Sequence, residues 1–187
     1  MEPGPRAGVV GDAPAAAGVT SLDSFATRRL RAERLTPAHL PEIRRMDQNE
    51  AFMAHLGGVR DDAAILAYME RNLAHWTTFG FGVWLLRDQT GALIGRAVLR
   101  HLDVEGVDEV EVGYGFYPEL WGRGLATEVA HAVVRIGLVQ LGLPSLVAVT
   151  QPGHVASQRV MLKAGMVYER EFLQDGVPHA LFRTRPT

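Results

Sequence analysis

Hydrophobic residues along the chain repeat with two different periods, which separate predicted helices from predicted strands. Over residues 60–76 they recur at helical spacing, so a helix is predicted that begins at the acids Asp61 and Asp62. Residues 79–88 and 92–104 are instead typical of strands, and residues 89–91 between them predict a hairpin turn. The chain therefore combines helices with an antiparallel strand pair.

A third strand is predicted over residues 108–117, where charged and apolar residues alternate. The alternation places Glu109 and Glu111 on one face of the strand and Val110 and Val112 on the other. The two carboxylates therefore share a face that is separate from the apolar one.

The remaining elements complete the order of the fold. They are a strand at residues 30–35, a helix opening at Thr36-Pro37, a long helix that includes Ala126 and is ended by Gly142-Leu143-Pro144, a strand at residues 145–150, a helix at residues 154–165 and a hairpin turning at Asp175-Gly176. The order β-α-α-β-β-β-α-β-α-β-β predicts one layered α/β domain over residues 27–187, without internal repeats.

Composition and charge exclude several classes of function. The chain has 187 residues, of which 47% are hydrophobic and 21% are charged, as expected for one soluble globular domain. It contains no cysteine, which excludes thiol chemistry, disulfides and zinc–thiolate sites, and we predict no metal site. Its net charge of −2 gives no overall basic field, so neither nucleic acid nor an anionic membrane is an expected partner.

Residues 1–26 are predicted to be a disordered tail, because this segment is rich in Ala, Gly and Pro and shows no apolar periodicity. The tail lacks the apolar core of a signal peptide, and no later segment has the ~20 uninterrupted apolar residues of a membrane span. We therefore expect a cytoplasmic protein. A homodimer is one of the expected assemblies.

The segment between the third strand and the long helix is typical of an anion-binding turn. Gly122, Gly124 and Ala126 would let a ligand approach the backbone where free N–H groups point out of the start of a helix. Arg123 adds a positive charge, and Thr127 offers a hydroxyl in the first helical turn. The packing of a tight strand-to-helix turn would explain the same small residues, so the pattern alone leaves both interpretations open.

Two common phosphate-binding motifs are excluded by the sequence itself. The string GxxxxGK[ST] of a P-loop does not occur. A dinucleotide fold needs an acid about 20 residues after its glycine motif, but residues 129–168 contain no Asp or Glu. That stretch holds Arg135, Arg159 and Lys163, which suits a ligand that carries several phosphates.

Two motifs in the same order resemble the GNAT N-acetyltransferases, in particular their RimJ/RimL-like branch. The family signature [Q/R]-x-x-G-x-[G/A] falls on Trp121–Ala126, within LWGRGLATEV, and the second motif on TQPGHVASQRVMLKAG, Thr150–Gly165. The resemblance covers about Thr27 to Thr184. It implies a mixed, mostly antiparallel sheet flanked by helices and splayed at the cofactor-binding strand, with acetyl-coenzyme A as the acyl donor.

The resemblance also implies which residues hold coenzyme A. They are Phe116, Tyr117, Gly122, Arg123, Gly124, Leu125, Ala126, Thr127, His154 and Lys163. Three positions depart from the family pattern. Trp121 replaces the usual Gln or Arg, His154 stands where Asn is usual, and Met161 stands where many relatives carry a tyrosine acid.

Acetyl transfer to an amine needs a base for the amine and an acid for the departing thiolate. Glu111 is the candidate base, because it lies on the strand that leads to the cofactor, and Glu109, His101 and solvent remain alternatives. Ser157 is the candidate acid, because it matches the A-S pair of the second motif, although its hydroxyl could simply bond within its own helix. An N–H of Phe116 or Tyr117 is expected to polarise the thioester carbonyl.

The sequence thus predicts an acetyl-CoA-dependent N-acetyltransferase that acts by direct transfer in a ternary complex. The acceptor would be a primary amine, either a protein N-terminus or a small molecule. Transfer of a longer acyl group, such as succinyl, uses the same scaffold and remains open. The departures at His154 and Met161 also leave open a coenzyme A-binding module that has lost the chemistry.

Overall fold

Eight strands form one sheet in the computed structural model, which describes residues 22–186. The strands are β1 Ser24–Ala26, β2 Arg31–Arg34, β3 Val83–Arg87, β4 Leu93–Val104, β5 Val107–Phe116, β6 Leu146–Thr150, β7 Val167–Gln174 and β8 Val177–Thr184. Their order across the sheet is β1-β2-β3-β4-β5-β6-β8-β7. Neighbouring strands are antiparallel, except for the parallel pair β5 and β6.

Five α-helices within residues 22–186 pack against this sheet. They are α1 Leu40–Asp47, α2 Glu50–Met53, α3 Asp62–Phe79, α4 Leu125–Arg135 and α5 Val155–Lys163, with short 3₁₀ turns at Pro37–His39 and Pro118–Leu120 and a π-helical turn at Ile136–Gln140. Among the helices of residues 22–186, none is both long and apolar enough to cross a membrane.

The sheet opens between β5 and β6. The two strands pair at Glu111 and Val147, and beyond that point β6 keeps its pairing with β8 alone. The rest of β5, from Val112 to Phe116, remains paired with β4 on its other side. The structure therefore confirms the predicted fold, a mostly antiparallel sheet flanked by helices and splayed at the strand expected to bind the cofactor.

Helices cover both faces of the sheet around this opening. Arg96 and Tyr114 belong to adjacent pairs of the β4–β5 ladder, so their side chains point to opposite faces. Arg96 contacts Asp47 of α1 and Met53 of α2 on one face, whereas Tyr114 contacts Ser157 of α5 on the other. Each face of β5 therefore meets a different group of helices.

The ends of α3 follow from its sequence. Asp61 caps the helix, because its side chain accepts a hydrogen bond of 2.8 Å from the Ala64 N–H, and Gly80 ends it in the left-handed conformation with φ of 72°. The buried Tyr68 and Trp76 lie on the apolar stripe that predicted this helix. The predicted start at Asp61 and Asp62 is confirmed, since Asp61 is the cap and Asp62 is the first helical residue.

The folded part of the chain extends further toward the N-terminus than the sequence predicts. Residues 1–21 of the predicted tail lie outside the described residues, but Ser24–Ala26 form β1 and pair with residues 31–33 of β2. The short helix α2 was also not predicted. Three- and four-residue elements have too few positions to show a period, so these elements depend on contacts made by the rest of the fold.

Candidate active site

The loop before α4 has the open backbone that an anion site requires. Gly122 and Gly124 have φ of 73° and 74°, a conformation that favours glycine. Gly124 is the N-cap of α4 and provides no side-chain hydrogen bond to the first helical turn. A Cβ atom at Gly122 would meet nothing within 4 Å, and one at Gly124 would meet only Arg29 at 3.7 Å. The loop therefore fits a phosphate group over the first turn of α4.

A network behind the loop fixes its position. Glu128 of α4 accepts hydrogen bonds from Thr27 Oγ1, from the Arg29 N–H and from Arg29 Nε, and Arg29 also donates to the Arg123 carbonyl at 2.8 Å. Burial alone would raise the pKa of Glu128, but the bonds from Thr27 and Arg29 lower it overall. Sequence patterns do not predict this network, because Glu128 is about 100 positions away from Thr27 and Arg29.

The end of β5 offers one free backbone amide rather than two. The Tyr117 N–H donates to the Ile94 carbonyl of the neighbouring chain segment at 3.2 Å, so it is not free to polarise a thioester as expected. Because such bonds alternate along an antiparallel strand, the N–H and C=O of Phe116 point away from β4, into the opening of the sheet. The Phe116 carbonyl accepts the indole N–H of Trp121 at 2.9 Å. The Phe116 N–H is therefore the remaining candidate of the two.

Ser157 lies on α5 and forms a pair with a residue that sequence reasoning did not select. Its hydroxyl lies 3.1 Å from Tyr114 Oη, so it bonds across to β5 and not only within its own helix. Burial raises the pKa of Tyr114 to about 12, although the bond to Ser157 acts in the opposite direction. Tyr114 is therefore a neutral phenol at physiological pH and can donate a proton.

Glu111 lies on the opposite face of β5 from Tyr114 and pairs with Arg100 of β4. One carboxylate oxygen is 3.2 Å from both Nε and a terminal nitrogen of Arg100, and the Glu111 side chain is 15% exposed. Its other oxygen has no hydrogen-bond partner among residues 22–186. The carboxylate is therefore held in place with one oxygen still able to accept a proton.

The alternative bases are arranged differently. Both oxygens of Glu109 accept hydrogen bonds from Arg183, at 2.7 and 2.8 Å. These bonds, together with those that Arg183 donates to Glu169, raise the pKa of Arg183. The ring of His101 is held by Asp108 at 2.9 Å. His101 pairs with Val110 in the β4–β5 ladder, so it lies on the face away from Glu111. Neither side chain lies at the opening as Glu111 does.

His154 is the N-cap of α5, the helix that carries Ser157. Its ring stacks on that of His55, from the turn after α2, with centroids 4.0 Å apart, and the Trp121 ring lies 6.4 Å from that of His55. Burial, and then the charge of His55, lower the pKa of His154. The histidine pair therefore joins helices from both faces of the sheet.

The lowered pKa of His154 predicts a loss of stability in acid. A histidine whose pKa is lower in the folded state contributes stability that is present above about pH 6.5 and lost as the pH falls. We expect the melting temperature of the wild type to fall between pH 7.5 and 5.5, and the fall to be ~1–2 °C smaller in His154→Asn. His131→Asn, at an exposed position on α4, is the control. An equal fall in all three proteins would contradict the prediction.

The predicted cofactor residues do not all border the opening. Leu125, Ala126 and Thr127 form the first turn of α4, next to the glycine loop, and the side chain of Arg123 is exposed beside them. Lys163 is exposed at the far end of α5 from His154, where no described contact links it to the loop. Its role toward coenzyme A remains a prediction.

One group of described residues has the spacing of metal ligands, namely Glu33, His39 and Glu42. Both carboxylates are already engaged by Arg87, which bonds to Glu33 at 2.5 Å and to Glu42 at 3.0 Å. The bonds to Glu42 and Glu33 raise the pKa of Arg87. The group is thus an ion-pair network that ties β2 and β3 to α1.

Comparison with known proteins identifies the family. Residues 29–167 match the model of the acetyltransferase (GNAT) domain. The uncharacterized protein YkkB of Bacillus subtilis is 27% identical over 134 residues, which cover 71% of this chain and 78% of YkkB.

Solved structures share the fold. An acetyltransferase from Agrobacterium tumefaciens superposes with a TM-score of 0.76 at 24% identity, over 97% of this chain and 100% of its own. RimL, a ribosomal L7/L12 alpha-N-protein acetyltransferase in complex with coenzyme A, superposes with a TM-score of 0.70 at 13% identity, over 85% of this chain and 95% of its own. With the opening of the sheet, the glycine loop and the matched domain in agreement, the chain belongs to the GNAT acetyltransferase family.

Proposed function

We propose that this protein is an acetyl-CoA-dependent N-acetyltransferase that moves an acetyl group to a primary amine within a ternary complex. The observation that carries the proposal is the opening beyond the Glu111–Val147 pair. It has a carboxylate on one face of β5 and a hydroxyl pair, Tyr114 and Ser157, on the other. An amine and a thioester that meet in this opening would have a base on one side and an acid on the other.

The donor would be held mainly by backbone. Coenzyme A supplies the acetyl group as a thioester. The N–H groups of Leu125, Ala126 and Thr127 face the space above the glycine loop and would bind its pyrophosphate at the positive end of the α4 dipole. Arg123 adds a charge at the same place. This arrangement explains why Trp121 can replace the polar residue usual at the start of the motif.

The same strand would also polarise the acyl carbonyl. The Phe116 N–H points into the opening and is placed to donate to an oxygen that gains negative charge. The Phe116 carbonyl, now bonded to Trp121, has a second lone pair that can accept an amide of the pantetheine arm. The donor would thus lie along β5 in the place that β6 leaves free.

The reaction needs two proton transfers, and each would take place on a different face of β5. The nitrogen–carbon bond forms as the carbon–sulfur bond breaks, so one proton leaves the amine and one reaches the sulfur. Glu111 would accept the first, directly or through one water, and Tyr114 with Ser157 would supply the second. Tyr114 thus offers an acid in a chain that carries Met161 where many relatives carry a tyrosine.

Removing the Tyr114 hydroxyl tests this pair. In Tyr114→Phe we expect kcat to fall about tenfold, with little change in the KM for acetyl-CoA, because a thiol is already a tolerable leaving group. Ser157→Ala should have a similar effect, and the double variant should be little worse than either, because the two hydroxyls act as a unit. Steady-state rates of thiol release check this, and additive losses would contradict it.

The acceptor can be a protein N-terminus or a small amine, and the fold shared with RimL is consistent with the first. A longer acyl donor such as succinyl-CoA, and a module that only binds coenzyme A, are the alternatives. A panel of amines and peptides with acetyl-CoA or succinyl-CoA, followed by thiol release, distinguishes them. Binding of coenzyme A without release from either donor would favour the module.

A further inference from the structure

Four arginines lie together on the face of the sheet that carries Glu111. The guanidinium carbons of Arg60, Arg71 and Arg96 lie 4.9, 5.9 and 5.1 Å from the centroid of the Tyr68 ring on α3. Arg100 lies four positions after Arg96 on β4, so its side chain points to the same face. We call these residues the arginine cluster.

Acids do not neutralise the arginine cluster. The buried carboxylate of Asp47 bonds to both Arg60 and Arg96, at 2.6 Å each, and Glu111 bonds to Arg100. Arg71 has no carboxylate partner among residues 22–186. The cluster therefore has an excess of two positive charges, although the chain as a whole has a net charge of −2.

The positive charge that has no carboxylate partner lies on the exposed side of the arginine cluster. Arg71 is exposed, whereas Arg96 is buried, and the Arg100 side chain is 27% exposed. Arg71 and Arg96 contact the same Tyr68 ring, and Arg96, Arg100 and Glu111 share one face of the β4–β5 pair. The guanidinium of Arg71 therefore lies on the face of the sheet where Glu111 would receive an amine proton. Burial and then the charge of Arg100 lower the pKa of Arg71, which agrees with this placement.

We propose that the acceptor is an amine that also carries a carboxylate, which binds Arg71 and Arg100 while its amine meets Glu111. This inference rests on the proposed function. A guanidinium group binds a carboxylate through two parallel hydrogen bonds, which would also orient the amine toward the opening. The same excess charge repels a polycation, so a polyamine is a poor acceptor.

Two kinds of molecule carry this chemistry. One is a free amino acid, with its own carboxylate beside the amine, and the other is a peptide whose N-terminal residue is followed by an acidic side chain. The test therefore compares alanine with alaninamide, and an amidated Ala-Glu peptide with the matching Ala-Gln peptide. Spermidine is included as the polycation.

The variant Arg71→Gln removes the free charge and leaves the ion pairs of Asp47 and Glu111 in place. We expect kcat/KM to fall about tenfold or more for the acceptor that carries the carboxylate, alanine or the Ala-Glu peptide, in whichever pair the wild type prefers. For the neutral partner, alaninamide or the Ala-Gln peptide, kcat/KM should stay within about twofold. Comparing the selectivity ratio of the wild type with that of Arg71→Gln cancels any difference in amine pKa between the paired acceptors. Arg45→Gln, at an exposed position on α1, is the matched control and should leave the ratio unchanged.

A binding measurement provides a second readout that needs no turnover. N-acetylalanine and N-acetylalaninamide are titrated into the protein in the presence of coenzyme A. The carboxylate should bind more tightly to the wild type, and Arg71→Gln should remove that preference. The preference should also weaken as salt increases, because Arg71 is exposed.

The outcomes separate this inference from the proposed function. Equal selectivity in the wild type and Arg71→Gln, a preference for spermidine, or weaker coenzyme A binding in Arg71→Gln would each overturn the carboxylate site. If no amine is acetylated but N-acetylalanine still binds through Arg71, the proposed reaction is wrong and the carboxylate site stands. If neither transfer nor carboxylate-dependent binding is found, both are wrong.

Discussion

Replacing Gly124 by valine is expected to abolish the stabilisation of this protein by acetyl-CoA. Gly124 caps α4 with φ of 74°, and a valine side chain there would fill the open space above the loop. For the wild type, acetyl-CoA at 100 times its Kd should add ~2.7 kcal/mol to the free energy of unfolding. Thermal melts with and without acetyl-CoA measure the difference for both proteins.

Backbone strain must be separated from loss of the phosphate site, since valine is disfavoured at positive φ wherever it occurs. Gly142→Val is the matched control, because Gly142 has φ of 66°, a Cβ there meets nothing within 4 Å, and it follows the π-helical turn after α4. It should lower the melting temperature but keep the full response to acetyl-CoA. A normal response in Gly124→Val would place the phosphate site elsewhere, and no response in the wild type would refute acetyl-CoA binding.

The parts of this site that sequence could predict are those set by local period or local conformation. The alternation of β5 correctly placed Glu109 and Glu111 opposite Val110 and Val112, because side chains on a strand alternate whatever surrounds it. The open backbone conformation of the glycine loop could also be predicted from sequence, since positive φ strongly favours glycine.

The contacts across the opening could not be predicted in the same way. Tyr114 and Ser157 are 43 positions apart, and their contact exists only because α5 packs over the part of β5 that β6 leaves unpaired. The stack of His55 on His154 likewise joins segments on different faces of the sheet. The hydrophobic periodicity of a single sequence does not predict which distant segments pack together.

The pairing of Arg100 with Glu111 lies between these cases, because the sequence contained a signal for it. Glu105 and Gly106 form a two-residue turn in which both have positive φ, and this turn pairs Val104 with Val107. Counting back along both strands from the turn places Arg100 opposite Glu111. The geometry of this turn therefore predicts that Arg100 lies opposite Glu111, the candidate base, whereas hydrophobic periodicity alone does not predict this pair.

That pairing makes Glu111→Gln a specific test of the base. The glutamine can still accept a bond from Arg100 but cannot take a proton, so the fold and cofactor affinity should stay nearly intact. We expect turnover at neutral pH to fall by ~10²-fold or more. Glu171→Gln, at an exposed position on β7, is the control and should turn over normally.

The pH dependence of the loss in Glu111→Gln distinguishes a proton acceptor from a structural residue. As the pH rises, a growing fraction of the acceptor amine is already deprotonated and needs no base, so the ratio of wild-type to variant turnover should shrink between pH 6 and 10. A residue that only holds Arg100 in place would give a loss that does not change with pH. A constant ratio across this range would therefore contradict the assignment of Glu111. Since Glu109 is bound on both oxygens and His101 lies on the other face, solvent would then be the remaining base.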